Sequence, residues 1–202
     1  MSDIKRRTVL RMMTAAPVAA AMTWTDAEAQ QAHQHAQAAT ATTAKSGVPY
    51  KPKFFNAQEW ATVRMLVDTI IPRDERSGSA TDVGVPEFMD FMMNDQRGRQ
   101  TAMRGGLAWI DHECEERFDK RFIDCTDDQR KAVLDDIAWP QKGAPALSQG
   151  IAFFNSFRDL TATGFWTTKV GMQDLHYMGN TFVAEWKGCP DEVLAKLGVA
   201  DA

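Results

Sequence analysis

Three cysteines, four histidines and two tyrosines stand among 202 residues, and no two cysteines are spaced Cys-x-x-Cys. Zinc ribbons, cysteine-held iron–sulfur clusters and covalently attached haem all need such close spacing, so the sequence excludes them. There is no G-x-G-x-x-G element after a strand, and Arg104-Gly105-Gly106 falls inside a helical pattern, so a dinucleotide cradle is missing as well. A Gly-x-Ser-x-Gly nucleophile elbow is also lacking. Positive charge is in the minority: 23 Lys and Arg face 27 Asp and Glu, a net charge of -4, which argues against a surface built to neutralise nucleic-acid phosphates. Long apolar runs are missing, as are alternating strand patterns, Asn-Gly hairpins and repeats. What is present is 44% hydrophobic and 25% charged residues, the balance of a globular protein with a core. Six Trp, eleven Phe and eleven Met are many bulky groups for this length.

The N-terminus has the texture of a targeting segment. A charged stretch, Lys5-Arg6-Arg7-Thr8-Val9-Leu10-Arg11, precedes an uncharged run from Met12 to Thr25 and an Ala27-Glu28-Ala29 cleavage pattern. That run is shorter than the roughly 20 apolar residues of a bilayer span, so no direct membrane span is expected. Paired Arg6 and Arg7 with Leu10 behind them resemble a twin-arginine export signal, whose translocon carries folded cargo; an ordinary secretory signal is the alternative. Residues 1–29 therefore read as a signal peptide. Residues 30–53, rich in Ala, Gln and Thr and without hydrophobic period before Tyr50, read as a disordered leader in which His33 and His35 are incidental.

Residues 54–202 read as an all-α domain. Asn56 with Glu59 forms a capping-box pattern, followed by Trp60, Val63, Val67 and Ile70 at helical spacing until Pro72. Pro86 suits the first turn of a second helix carrying Phe88, Phe91 and Met92. Met103, Leu107, Ile110, Cys114 and Phe118 make one stripe of a long helix between about 98 and 121. Thr126 with Gln129 opens the next helix, through Val133, Leu134 and Ile137 to Trp139-Pro140. Ser148 is the expected cap of another, burying Ile151, Phe154, Phe157 and Leu160 and ending at Gly164. A last helix starts near Asp191 and carries Val193, Leu194 and Leu197. Between them, 165–190 is irregular and aromatic-rich. One apolar stripe per helix predicts a compact bundle of five to six helices with an irregular C-terminal segment.

Candidate chemistry is sparse. Asp111-His112-Glu113-Cys114-Glu115-Glu116 looks metal-like, but the paired Glu-x-x-His elements of a di-iron bundle are lacking, and solvated helix surface is the simpler reading. No metal, cofactor or catalytic residue is expected in this chain. Cys114 and Cys125 are the candidate disulfide, because a helix end followed by a reversing loop brings such positions within reach. The competing reading makes Cys114 a buried stripe thiol.

From Phe55 onward the chain resembles the gluconate 2-dehydrogenase subunit 3 family, small subunits of periplasmic flavin-dependent sugar dehydrogenases. The resemblance rests on Leu66-Val67-Asp68-Thr69-Ile70-Ile71-Pro72-Arg73-Asp74, on Asp82-Val83-Gly84-Val85-Pro86-Glu87-Phe88, and on Phe153-Phe154 with Phe157-Arg158-Asp159-Leu160-Thr161. It extends through Gly164-Phe165-Trp166-Thr167-Thr168-Lys169-Val170-Gly171, Leu175-His176-Tyr177-Met178-Gly179-Asn180 and Trp186-Lys187-Gly188-Cys189-Pro190. It implies a non-catalytic subunit, needed for folding, stability and twin-arginine co-export of a large subunit that holds FAD, often with a cytochrome c as electron acceptor. The region from Trp109 to Trp139 inclines it toward a glucoside 3-dehydrogenase complex over a gluconate-type one. The partner interface is then expected in Gly164 to Pro190, on Phe165, Trp166, Lys169, His176, Tyr177, Asn180 and Trp186, since aromatic, Gly-punctuated segments supply contact area. The alternative is that these aromatics close the bundle's own core. Two other functions stand beside this one: a transient export chaperone not retained in the complex, and a metal-dependent enzyme using Asp111, His112, Glu115 and His176.

Overall fold

A computed structural model describes residues 30–32, 34–39, 41, 49–139, 145–177, 179, 182, 184–185 and 188–198. Among them there is no strand, and the α-helices from residue 57 onward are α1 (Ala57–Ile70), α2 (Val85–Asp95), α3 (Gln100–Phe118), α4 (Asp127–Ala138), α5 (Ser148–Trp166), α6 (Lys169–Asp174) and α7 (Asp191–Leu197). None is long and apolar enough to cross a membrane.

Local chemistry explains most boundaries. Both capping boxes form: the Glu59 N–H donates to Asn56 Oδ1 at 2.8 Å while Asn56 N–H donates to Glu59 Oε2 at 2.9 Å, and Thr126 and Gln129 repeat the exchange at the head of α4. Gly84, at φ 85°, makes the left-handed turn into α2, and Pro86 sits in its first turn, where the missing N–H costs nothing. The helix expected to stop at Gly164 instead continues to Trp166, and Leu147, not Ser148, is its N-cap. Gly164 serves packing there: a Cβ would lie 2.9 Å from the Phe88 ring and 3.1 Å from Val85 of α2.

The bundle is organised around α5, which packs against α1, α2, α3, α4 and α6. Its contact with α3 is a reciprocal lock of small against large. Phe153 of α5 fills the space over Gly106 of α3, where a Cβ would come within 1.8 Å of the ring. Trp109 of α3 fills the space over Gly150 of α5, where a Cβ would come within 2.3 Å. Each helix thus inserts a ring where the other has no side chain, letting the axes approach closely. The predicted stripes form the core: Val63 and Val67, Phe88 and Met92, Met103, Leu107, Ile110 and Cys114, Val133, Leu134 and Ile137, and Phe154, Phe157 and Leu160 are all buried.

Three expectations need correction. The leader carries structure: residues 30–32, 34–39 and 41 are helical, Ala32 and Ala36 are buried, and the His35 ring stacks on Phe91 at 4.4 Å. Alanine is the strongest helix former and its small side chain lets a helix lie close on a neighbour, so a segment without large apolar residues still packs. Within 165–190, Lys169–Asp174 is a helix. Conversely, α7 buries no residue, and Val193 and Leu197 stay exposed.

Candidate functional site

The segment expected to meet a partner begins at the corner between α5 and α6. Thr168 builds this corner: its Oγ1 donates to the Phe165 carbonyl at 2.7 Å and accepts from Gly171 N–H at 2.9 Å, capping α6. Gly171 is required by the close approach, since a Cβ there would meet the Phe165 carbonyl oxygen at 2.2 Å. At its far end α6 is fixed by Arg76 of the α1–α2 connection, which donates to the Asp174 carbonyl and pairs with its carboxylate at 2.8 Å. That connection is itself folded around Asp82, whose carboxylate accepts from Ser79 N–H, the Ser79 hydroxyl and Arg73. These donors, with the Ser79 backbone first, hold the Asp82 carboxyl below its ordinary range.

The corner sorts the expected interface residues. Phe165 is 0% exposed and packs edge-on against Trp166 at 4.9 Å, so it belongs to the core and offers no area to a partner. The reason is the extra length of α5: with helix continuing past Gly164, Phe165 falls on the inward face. Trp166 is half-buried, while Lys169, His176 and Tyr177 are exposed. His176 takes a left-handed conformation, φ 54°, directly after α6. Asn180 and Trp186 lie outside the described residues, as do Arg6, Arg7 and Leu10 of the export signal.

What individual inspection of the sequence missed is the apolar character of α6 and its continuation. Val170, Met172 and Leu175 are exposed, Leu175 at 55%, with Tyr177 at 60% and Phe182 at 93% beyond them. Five large apolar groups left in water between residues 170 and 182 are more than the single scattered exposures of an ordinary surface, and they mark this segment as a candidate interaction surface. The signal was weak because α6 has only six residues, too few for a periodic stripe to emerge.

A second feature joins the entering chain to the bundle. Asp90 of α2 is fully buried and its carboxylate accepts four hydrogen bonds: from the Tyr50 hydroxyl at 2.8 Å and from the N–H groups of Lys53, Phe54 and Phe55 at 2.8, 2.9 and 3.1 Å. Burial, reinforced by Asp90 and Glu87, keeps the Tyr50 hydroxyl protonated well above its usual range. Arg104 completes the strap, donating to the Phe54 carbonyl at 2.8 Å with its guanidinium 4.6 Å from the Phe54 ring centre. This is the role of the arginine in the Arg104-Gly105-Gly106 triplet.

The metal-like cluster does different work. Asp111 accepts from the Gln58 amide at 2.9 Å and from Phe122 N–H at 3.0 Å, tying α3 to α1 and to the 3-10 turn Phe122–Asp124. Among the described residues, no three His, Cys, Asp or Glu side chains gather as a metal site would. Cys114 and Cys125 are both free and buried, and their thiols interact. Burial first, then the neighbouring Cys125, pushes the Cys114 thiol up to about 12.

The family model described as gluconate 2-dehydrogenase subunit 3 matches residues 57–185, well over half of the chain, from the start of α1 past the exposed apolar side chains. Neither curated proteins nor solved structures give a match.

Proposed function

Since the chain belongs to the gluconate 2-dehydrogenase subunit 3 family, and is thus a subunit of a dehydrogenase complex, we propose that it is the non-catalytic small subunit of a periplasmic flavin-dependent sugar or sugar-acid dehydrogenase. In this reading FAD and the reacting groups belong to a large partner subunit, and a cytochrome c takes the electrons. The single observation that carries it is the run of exposed large apolar side chains, Val170, Met172, Leu175, Tyr177 and Phe182, inside the matched region. Such a run is a liability on a free chain and an asset on a subunit. The rigid Thr168–Gly171 corner and the Arg76–Asp174 clamp present α6 in a fixed pose, which lowers the ordering cost of association.

Arg6, Arg7 and Leu10 direct export by the twin-arginine route, and because that route carries folded cargo, a partner loaded with its flavin travels with this chain. Replacing Arg6 and Arg7 by Lys tests this. Both subunits are expected to remain in the cytoplasm; a large subunit that still reaches the periplasm contradicts co-export. A large subunit purified from the periplasm without this chain would mean that the chain acts as a transient chaperone.

A further inference from the structure

Away from α6, among the described residues, one buried carboxylate has an oxygen with no hydrogen-bond partner. Glu87, in the first turn of α2, is 9% exposed, yet its Oε2 makes no hydrogen bond among the described residues. A buried carboxylate oxygen left unpaired is costly, and native proteins rarely keep one without a use. Glu87 lines a channel of about 880 Å³. Its walls come from Pro49 and Tyr50 of the entering chain, from α1, from Glu87 of α2 and from the first turns of α4. Tyr50, Trp60 and Met65 form its apolar and aromatic wall, and Arg64 and Asp68 stand at its side.

The charges along this channel favour one kind of occupant. At the α4 end, Asp127 and Arg130 are already paired with each other, and Arg130 also donates to the carbonyls of Ile123 and Cys125. Asp68 accepts from Thr81 N–H at 2.7 Å. Burial dominates and raises the Glu87 carboxyl above its ordinary value, against its own backbone N–H and the exposed Arg64, which reaches it through space only, and with Asp90 adding to the rise. Setting the Asp127–Arg130 pair aside leaves two carboxylates, Asp68 and Glu87, against one arginine. Trp60 and Tyr50, with ring centres 5.5 Å apart, add faces that attract a cation. A long aliphatic stem ending in a positive group matches an apolar wall with a carboxylate behind it.

We propose that this channel receives a lysine or arginine side chain of the partner subunit, its charged end held by the Glu87 carboxylate. The inference rests on the subunit reading above and adds a second, polar contact remote in sequence from α6. Seating a cation there gives the Glu87 carboxylate a charge-assisted hydrogen bond that the chain itself does not supply.

The test compares the full chain with its E87Q variant, measuring affinity for the purified large flavoprotein subunit and the melting temperature of each isolated chain. Glutamine keeps the shape and removes the charge. The expected result is affinity weakened tenfold or more with the melting temperature equal or higher. Unchanged affinity overturns the proposal while leaving the subunit reading intact. A melting temperature lowered by several degrees overturns it too, because the carboxylate would then be paired within the chain. If the wild-type chain binds no large subunit, the subunit reading fails and this inference fails with it.

Discussion

Asp90 and Glu87 sit three residues apart on one helix and are used in opposite ways. Asp90 has every incoming donor it needs, so removing it strands the buried N–H groups of Phe54 and Phe55 and releases the part-buried N–H of Lys53. Asp90→Ala is expected to destabilise the fold by on the order of 3 kcal/mol in denaturant unfolding, since each buried donor left unpaired is costly; a loss under about 1 kcal/mol would refute the strap. Burial raises the Glu87 carboxyl in the folded state, so its contribution is fully present below the unfolded glutamate range and is lost as pH rises through that range toward the folded value. Relative to E87Q, the isolated wild-type chain should therefore lose stability with rising pH, in a window facing Asp90, Asp68, Tyr50 and Arg64; a flat difference would contradict this. Both acids were visible in the sequence as charges within the apolar run Val85-Pro86-Glu87-Phe88-Met89-Asp90-Phe91, but their partners, some forty residues earlier or on another chain, were not. The cysteines divide similarly. Iodoacetamide applied to the reduced native chain should label exposed Cys189 and spare Cys114, whose thiol is buried and protonated at neutral pH. Cys114 and Cys125 remain the pair we propose for a disulfide, with oxidised glutathione accepting the two electrons; three free thiols should then fall to one.

At the scale of elements, the helices that carry a core stripe were legible because cap and period agree: Asn56 and Thr126 opened the helices their boxes implied, and Pro86 opened α2. Where the sequence misled, tertiary packing overrode a local rule. Gly164 looked like a stop and is a packing site against Phe88; the Ala-rich leader looked shapeless and helps cover Phe91. The two glycines of α3 make the point testable. Gly105 faces solvent with nothing near its absent Cβ, whereas Gly106 lies under Phe153. Gly105→Ala should stabilise the chain by about 0.5–1 kcal/mol through helix propensity. Gly106→Ala should destabilise it by about 1–3 kcal/mol, because Phe153 must leave its place. Equal effects in thermal or denaturant unfolding would refute the α3–α5 lock.

Across the described residues, most aromatic and methionine side chains are buried in the bundle or pack against its core. Trp139 is exposed at the end of α4, and Met172, Tyr177 and Phe182 are exposed beyond the Thr168–Gly171 corner. Sequence texture located that segment but not its internal division, since Phe165 turns inward and Val170, Met172 and Leu175 outward only once the length of α5 is known. A chain whose core is complete without these exposed side chains, in a family of dehydrogenase subunits, is best understood through its partner. The most direct measurement is co-expression with the large flavoprotein subunit, periplasmic extraction and size-exclusion chromatography followed by flavin absorbance. The account predicts that chain and flavin co-elute in a constant ratio, and that serine at Val170, Met172 and Leu175 separates them while the isolated chain stays folded. Elution of the wild-type chain apart from the flavoprotein, or flavin remaining with this chain after the two are separated, would contradict it.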